Sequence, residues 1–174
     1  MAVPLQGGAR MSEQAGDLTP GVDEVPRSGV RGFRADRLRE LRVKAGLTPD
    51  DLSVRIGSSR QSVSHWETGR STPAPPVLKQ IADELDVSIS VLVPIPDNRL
   101  RMGDLRVRAG LTQIQAAEQL SISPTSLAEI EKGMKPVNED RLEAIAGLYG
   151  ADKSLVFEAW ERGREARETR AKSK

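Results

Sequence analysis

An octapeptide that returns 64 positions later limits the possible fold more than any other feature of this chain. LRVKAGLT, Leu41 to Thr48, reappears as LRVRAGLT, Leu105 to Thr112. The offset then holds without a gap. Ile56 aligns with Leu120, Ser59 with Ser123, Val63 with Leu127, Trp66 with Ile130, Glu67 with Glu131 and Gly69 with Gly133. Leu78, Ile81 and Ala82 align with Leu142, Ile145 and Ala146. Inward positions kept in register over about 40 residues require two copies of one fold in tandem, each burying the same face.

Each copy reads as short helices. Leu38, Leu41 and Ala45 recur at helical spacing, and Gly46 supplies a stop. Thr48-Pro49-Asp50-Asp51 has the order of a helix start: a hydroxyl N-cap, proline at the first helical position, then acidic groups. Leu52 and Ile56 face inward and Gly57 closes the helix. Ser58 or Ser59 caps the next helix, whose inward residues are Val63 and Trp66 and which ends at Gly69. Prolines 73, 75 and 76 lead into a fourth helix with Leu78, Ile81, Ala82 and Leu85 inward, and a short fifth helix runs from Ser88 to about Val93. These features divide the chain into a disordered leader (1–32), a first domain (33–93), a proline-rich linker (94–97), a second domain (98–160) and a basic tail, helical or frayed (161–174). Two prolines make the linker a stiff spacer. Met11 offers an alternative start within the leader.

Composition removes several function classes. The 174 residues contain no Cys and one His, His65, so disulfides, thiolate metal sites and an ordinary zinc site are not expected. No apolar run approaches the roughly 18 residues of a membrane span, and no secretory signal is visible, so a cytoplasmic protein is expected. There is no nucleophile motif beside His65 and no phosphate-binding glycine loop, so neither enzymatic activity nor a cofactor is expected. With a net charge of only +1, any nucleic-acid surface must come from local placement of charge.

The stretch LRELRVKAGLTPDDLSVRIGSSRQSVSHWETGRSTP resembles the Cro/cI-type, or XRE, helix-turn-helix domains of phage repressors and bacterial regulators. The resemblance covers nearly all of the first domain and extends to the second. It implies an all-α fold of two tandem five-helix, lambda-repressor-like domains, and a DNA-binding transcriptional regulator whose partner is double-stranded DNA. It assigns base reading to Arg60, Gln61 and His65, with Ser64 beside them. Backbone contacts fall on Thr48, Pro49, Ser62, Thr68 and Arg70, and structural ion pairs on Arg42–Glu67 and Arg106–Glu131. The family often has Gln where Pro49 stands; Gln113 keeps it in the second copy.

A helical wheel agrees with that assignment. With Arg60 at zero and about 100° per residue, Ser64, Thr68, Gln61 and His65 spread over roughly 140°, opposite Val63 and Trp66. The same residues would also make a plain solvated helix face. Arginine can fork onto guanine O6 and N7, and glutamine can pair with adenine N6 and N7. Helix N-termini and Arg70 would hold phosphates. The second copy replaces Arg60 by Pro124, Gln61 by Thr125, Ser64 by Ala128, His65 by Glu129 and Thr68 by Lys132. Thr125, Glu129, Lys132 and Gln113 form a weaker candidate reader there; dimerisation or partner binding through the retained scaffold is the favoured role, and the C-terminal helix is an alternative homodimer contact. Ser121 replaces the turn glycine, and a left-handed backbone at that position would cost about 1 kcal/mol. The competing reading is a protein-interaction module, such as an antitoxin or a regulator's co-factor.

Overall fold

A computed structural model describes residues 29–173, and among them every regular element is helical. The first copy contains α1 (Ala35–Lys44), α2 (Pro49–Arg55), α3 (Arg60–Glu67), α4 (Pro75–Glu84) and α5 (Ile89–Leu92). A short 3-10 turn, Asp97–Arg99, leads to α6 (Met102–Arg108), α7 (Gln113–Gln119), α8 (Pro124–Glu131), α9 (Glu139–Tyr149) and α10 (Lys153–Lys172). The fold is all-α, two five-helix units in tandem.

Local chemistry places the helix starts. The Asp51 amide donates to Thr48 Oγ1 at 3.1 Å and the Thr48 amide donates to Asp51 Oδ2 at 2.8 Å, a reciprocal capping box. Thr112 and Gln115 repeat it at 3.2 and 2.9 Å. Ser59, rather than Ser58, caps α3, and Ser123 caps α8, each accepting from an amide three residues on at 3.1 Å. The α2–α3 turn has a left-handed residue in both copies, Gly57 (φ 62°) and Ser121 (φ 53°). After α4 and α9 the two copies exchange that arrangement: Asp86 (φ 51°) matches Gly150 (φ 60°).

Leu38, Leu52, Val63, Leu78, Ile81 and Leu92 are fully buried in the first unit, with Ile56 and Trp66 nearly so. Each such side chain contributes about 1.5–3 kcal/mol relative to exposure. Ala45 departs from its expected inward place. It is the exposed C-cap of α1, because the helix stops at Lys44.

The largest difference between the copies is the last helix. α5 stops after one turn because Pro94 and Pro96 follow it, and proline cannot donate the next helical hydrogen bonds. α10 starts in the same register but meets Phe157-Glu158-Ala159-Trp160 and continues to Lys172. Val156 and Ala159 are fully buried, and Trp160 Nε1 donates to Lys135 O at 3.1 Å. The tail expected to be helical or frayed from residue 161 is thus helical, and its first turns are packed. Arg162 Nε donates to Leu100 O at 2.7 Å. Gly163 lies so close to α8 that a Cβ there would be 3.1 Å from Glu131 O.

The two units share one continuous apolar core running through Val93, Ile95, Leu100 and Met102. The expected linker therefore contributes a buried residue, Ile95, instead of standing free as a spacer. The expected disordered leader also needs correction at its end. Residues 1–28 of it lie outside the described residues, but Val30 and Arg31 are held against the folded chain. Val30 is buried and its amide donates to Thr72 Oγ1 at 3.2 Å. Gly32 (φ 76°) turns the chain against Ile95, where a Cβ would approach to 2.8 Å. Arg31 then reaches the second unit: its Nε donates to Asp104 Oδ1 at 3.1 Å, its Nη2 pairs with Oδ2, and it donates to Arg99 O at 2.9 Å. A single apolar residue and a long cationic arm order a segment that its glycine-rich composition hides.

Candidate nucleic-acid interface

α2 and α3 meet through Leu52, Ile56, Val63 and Trp66, and the turn between them is closed by the Ser58 amide donating to Ser53 O at 2.8 Å. That packing fixes which side of α3 faces outward. Arg60, Gln61 and Ser64 are exposed and His65 is half-buried. The Arg60, Gln61, Ser64 and His65 side chains form no hydrogen bond or ion pair within the described residues. Arg70, just past α3, is also exposed and unpaired. These five present uncommitted polar groups along one side of the helix and its exit.

The remaining backbone-contact candidates are differently placed. Thr68 Oγ1 donates to Ser64 O at 2.8 Å, and Ser62 Oγ bonds to Ser59 Oγ at 2.9 Å. Thr48 spends its hydroxyl on Asp51 Oδ2 at 2.6 Å and its amide on the same oxygen. With no free donor on Thr48, a proline at the next position, and Asp50 and Asp51 beyond, the start of α2 is a poor phosphate site. The sequence alone gives Lys44 no signal and reads Arg39, with Arg34 and Arg37, as a solvated row. Arg39 and Lys44 on α1 are exposed, unpaired and line the same open groove as Thr68. Glu40, which could have bound Lys44 one turn on, is taken by Arg37 at 3.0 Å.

The ion pairs beneath this face are short and buried. Arg42 Nε donates to Glu67 Oε1 at 2.5 Å, Nη2 to Oε2 at 2.9 Å and Nη1 to Leu47 O at 2.6 Å. One guanidinium thus ties α1, the α1–α2 turn and the end of α3 together. Hydrogen bonding to Glu67 raises the already high Arg42 pKa further. In the second unit Arg106 Nε donates to Glu131 Oε1 at 2.7 Å, and Nη1 donates to Leu111 O at 2.9 Å. There the carboxylate also accepts from Gln113 Nε2 at 3.0 Å and lies 3.5 Å from the Tyr149 hydroxyl. Burial, then the neighbouring negative charge, pushes the Tyr149 phenol well above its ordinary pKa. Gln113 is therefore turned toward Glu131 and its amide donor is in use.

The outer side of α8 offers less than that of α3. Thr125 and Lys132 are exposed, whereas Glu129 pairs with Lys135 at 2.6 Å. No free glutamine or arginine stands on it.

Two family models match the chain, one described as helix-turn-helix over residues 38–92 and one as a helix-turn-helix domain over residues 99–159. The chain belongs to the XRE-type helix-turn-helix family. Helix-turn-helix domains of this kind bind double-stranded DNA. A probable translation initiation factor IF-2 of Pyrobaculum calidifontis is 29% identical over 155 residues, covering 80% of this chain and 25% of its own length. The chain thus spans about a quarter of that relative. No solved structure matches it. Among the described residues of this helix-turn-helix protein, no helix is long and apolar enough to cross a membrane, and no three His, Asp or Glu residues group as metal ligands do.

Proposed function

We propose that the protein is a sequence-specific transcriptional regulator that lays α3 in the major groove of double-stranded DNA. The observation that supports this is the set of four uncommitted side chains, Arg60, Gln61, Ser64 and His65, on the outer side of a helix whose inner side is buried. An eight-residue helix is about 12 Å long, which suits one groove crossing. Arg60 would fork onto a guanine and Gln61 onto an adenine, with Ser64 and His65 contacting neighbouring bases. Arg70, Arg39 and Lys44 would hold the flanking phosphates and set the register. A homodimer through the second unit or α10 would place two copies of α3 on half-sites about 34–36 Å apart.

A test is to select binding sites from random duplexes with the wild type and with Arg60→Ala plus Gln61→Ala. Each lost bidentate contact is worth about 1–3 kcal/mol of discrimination, so preference at the two positions should fall by about 5- to 150-fold each, with the fold intact. A double variant that selects the same site would overturn the assignment.

A second reading is favoured by α8 alone. Its Glu129–Lys135 pair and its lack of free readers suit protein binding on a retained helix-turn-helix scaffold, as in an antitoxin or a regulator's co-factor. Salt separates the two readings. DNA binding weakens steeply as salt rises because counterions are released. Duplex binding that is absent, or indifferent to salt, would favour the second.

A further inference from the structure

The second unit carries a basic groove that no helix-turn-helix role absorbs. It lies between the end of α8, the start of α6 and the C-terminal half of α10, and encloses a cavity of about 250 Å³. Arg101, Lys132, Arg167 and Arg170 line it, together with Met134 and Glu131. Glu131 does not cancel this charge, because Arg106 already neutralises it through two hydrogen bonds. The four cations form no ion pair among the described residues. Of their side chains, only that of Arg167 makes a hydrogen bond among the described residues, at 3.5 Å to Gly133 O.

The sequence of α10 shows how that charge is left free. Gly163, Ala166, Arg167 and Arg170 follow at i, i+3, i+4 and i+7, which is one side of a helix. The two small residues open the groove and the two arginines charge its wall. The remaining arginines of α10 have acidic neighbours one turn away: Glu158 for Arg162, and Glu161 and Glu168 for Arg164. Arg167 and Arg170 have none at i±3 or i±4. On the opposite wall Lys135 takes Glu129 at 2.6 Å, which leaves Lys132 unpaired. Apart from Glu131, which Arg106 holds, no acidic side chain lines this groove among the described residues.

We infer that this groove binds the phosphate backbone of the duplex, so that the second unit adds affinity through α10 rather than through base reading by α8. Lys132 supports a nucleic-acid partner over an acidic peptide. It occupies the repeat position of Thr68, at the exit of the helix that matches α3, and the groove offers only Met134 as a large apolar contact beside the small Ala166. This rests on the proposed DNA reading for its duplex, but on different residues.

The experiment measures, with the full chain, the salt dependence of binding to a fluorescein-labelled random-sequence duplex and to a selected site. The wild type is compared with Arg167→Gln plus Arg170→Gln. Two lost phosphate contacts should lower the slope of log K against log salt by about 1.8, equal to about a twelvefold share of the affinity lost between about 50 and 200 mM salt. The loss should be equal on both duplexes and leave site preference unchanged. Arg167→Lys plus Arg170→Lys should keep the slope. Arg101→Gln plus Lys132→Gln, which leaves α10 untouched, should reproduce the loss if the first variant unfolds. Competition by inorganic phosphate at concentrations that leave ionic strength fixed would instead mark the groove as a small-anion site and overturn the duplex assignment. An unchanged slope in both neutralising variants with site preference present overturns the groove and leaves the α3 reading standing. A reduced slope without any site preference does the reverse, and a wild type that binds no duplex overturns both.

Discussion

Removing Glu67 is the sharpest test of how the reading helix is held. The carboxylate is 9% exposed and its partner guanidinium 7%. Glu67→Ala deletes two charge-assisted hydrogen bonds and leaves Arg42 buried with Leu47 O as its remaining acceptor. Breaking a buried pair from one side costs about 3–5 kcal/mol, because the surviving charge loses both its partner and its water. The retained Leu47 contact argues for the lower end, about 3 kcal/mol. Arg42→Ala should cost at least as much, since it strands Glu67 and also uncaps Leu47 O. Arg42→Met with Glu67→Leu leaves no charge behind and should cost less than either single change. For two units that share one core, about 3 kcal/mol corresponds to a melting shift of about 6–12 °C.

Urea unfolding followed by circular dichroism, run as a double-mutant cycle, measures the coupling. Single variants that each cost under about 1 kcal/mol and add without coupling would refute the account of a buried, mutually dependent pair. The second copy provides an internal comparison. Glu131→Ala should cost more than Glu67→Ala, because Gln113 and the buried Tyr149 lose an acceptor together with Arg106.

Two further outcomes follow from local geometry. Thr48→Ala should cost about 1 kcal/mol at neutral pH by breaking the capping box. Hydrogen bonds from Thr48 hold the Asp51 pKa below its ordinary value, so the stabilisation exists above the unfolded carboxylate pKa and is lost as pH falls through the folded one; thermal melts of wild type and variant should therefore converge in acid. Gly69→Ala and Gly133→Ala impose the same left-handed strain (φ 70° and 66°), but a Cβ meets nothing within 4 Å at Gly69 and would lie 2.4 Å from the Arg164 amide nitrogen at Gly133. The first should cost about 1 kcal/mol, whereas the second should also free α10, read as faster amide exchange over residues 160–172.

What the sequence made legible was what the two copies share. Thr48 and Thr112, Ser59 and Ser123, and the buried Leu38, Val63 and Ile81 are set by caps and by helical period, which act over a few residues. The pairing of Arg42 with Glu67 spans 25 residues and was accessible only through the family resemblance. Arg31 and Asp104 are 73 residues apart, in a segment without periodicity and at a position where the first copy has the exposed Glu40. Neither the repeat nor the resemblance carries any signal for that contact. The hydroxyls of Thr48 and Thr68 illustrate a different limit. The resemblance implies a phosphate contact for them, but intramolecular bonds decide whether a donor is left to make it.

The two copies should differ in function although they agree in fold. The scaffold of a helix-turn-helix is fixed by inward residues, and those agree between the copies at every position from Ile56 to Ala82 that the core requires. Outward residues are constrained only by what they touch. α3 keeps four of them free, whereas α8 replaces its arginine by a proline and commits its glutamate to Lys135. The cationic groups of the second unit are instead gathered where α10 crosses Gly133, a crossing that α5 cannot make because Pro94 and Pro96 stop it. Two prolines after one helix, and their absence after the other, thus leave the first unit without a helix across the end of α3 and give the second a basic groove.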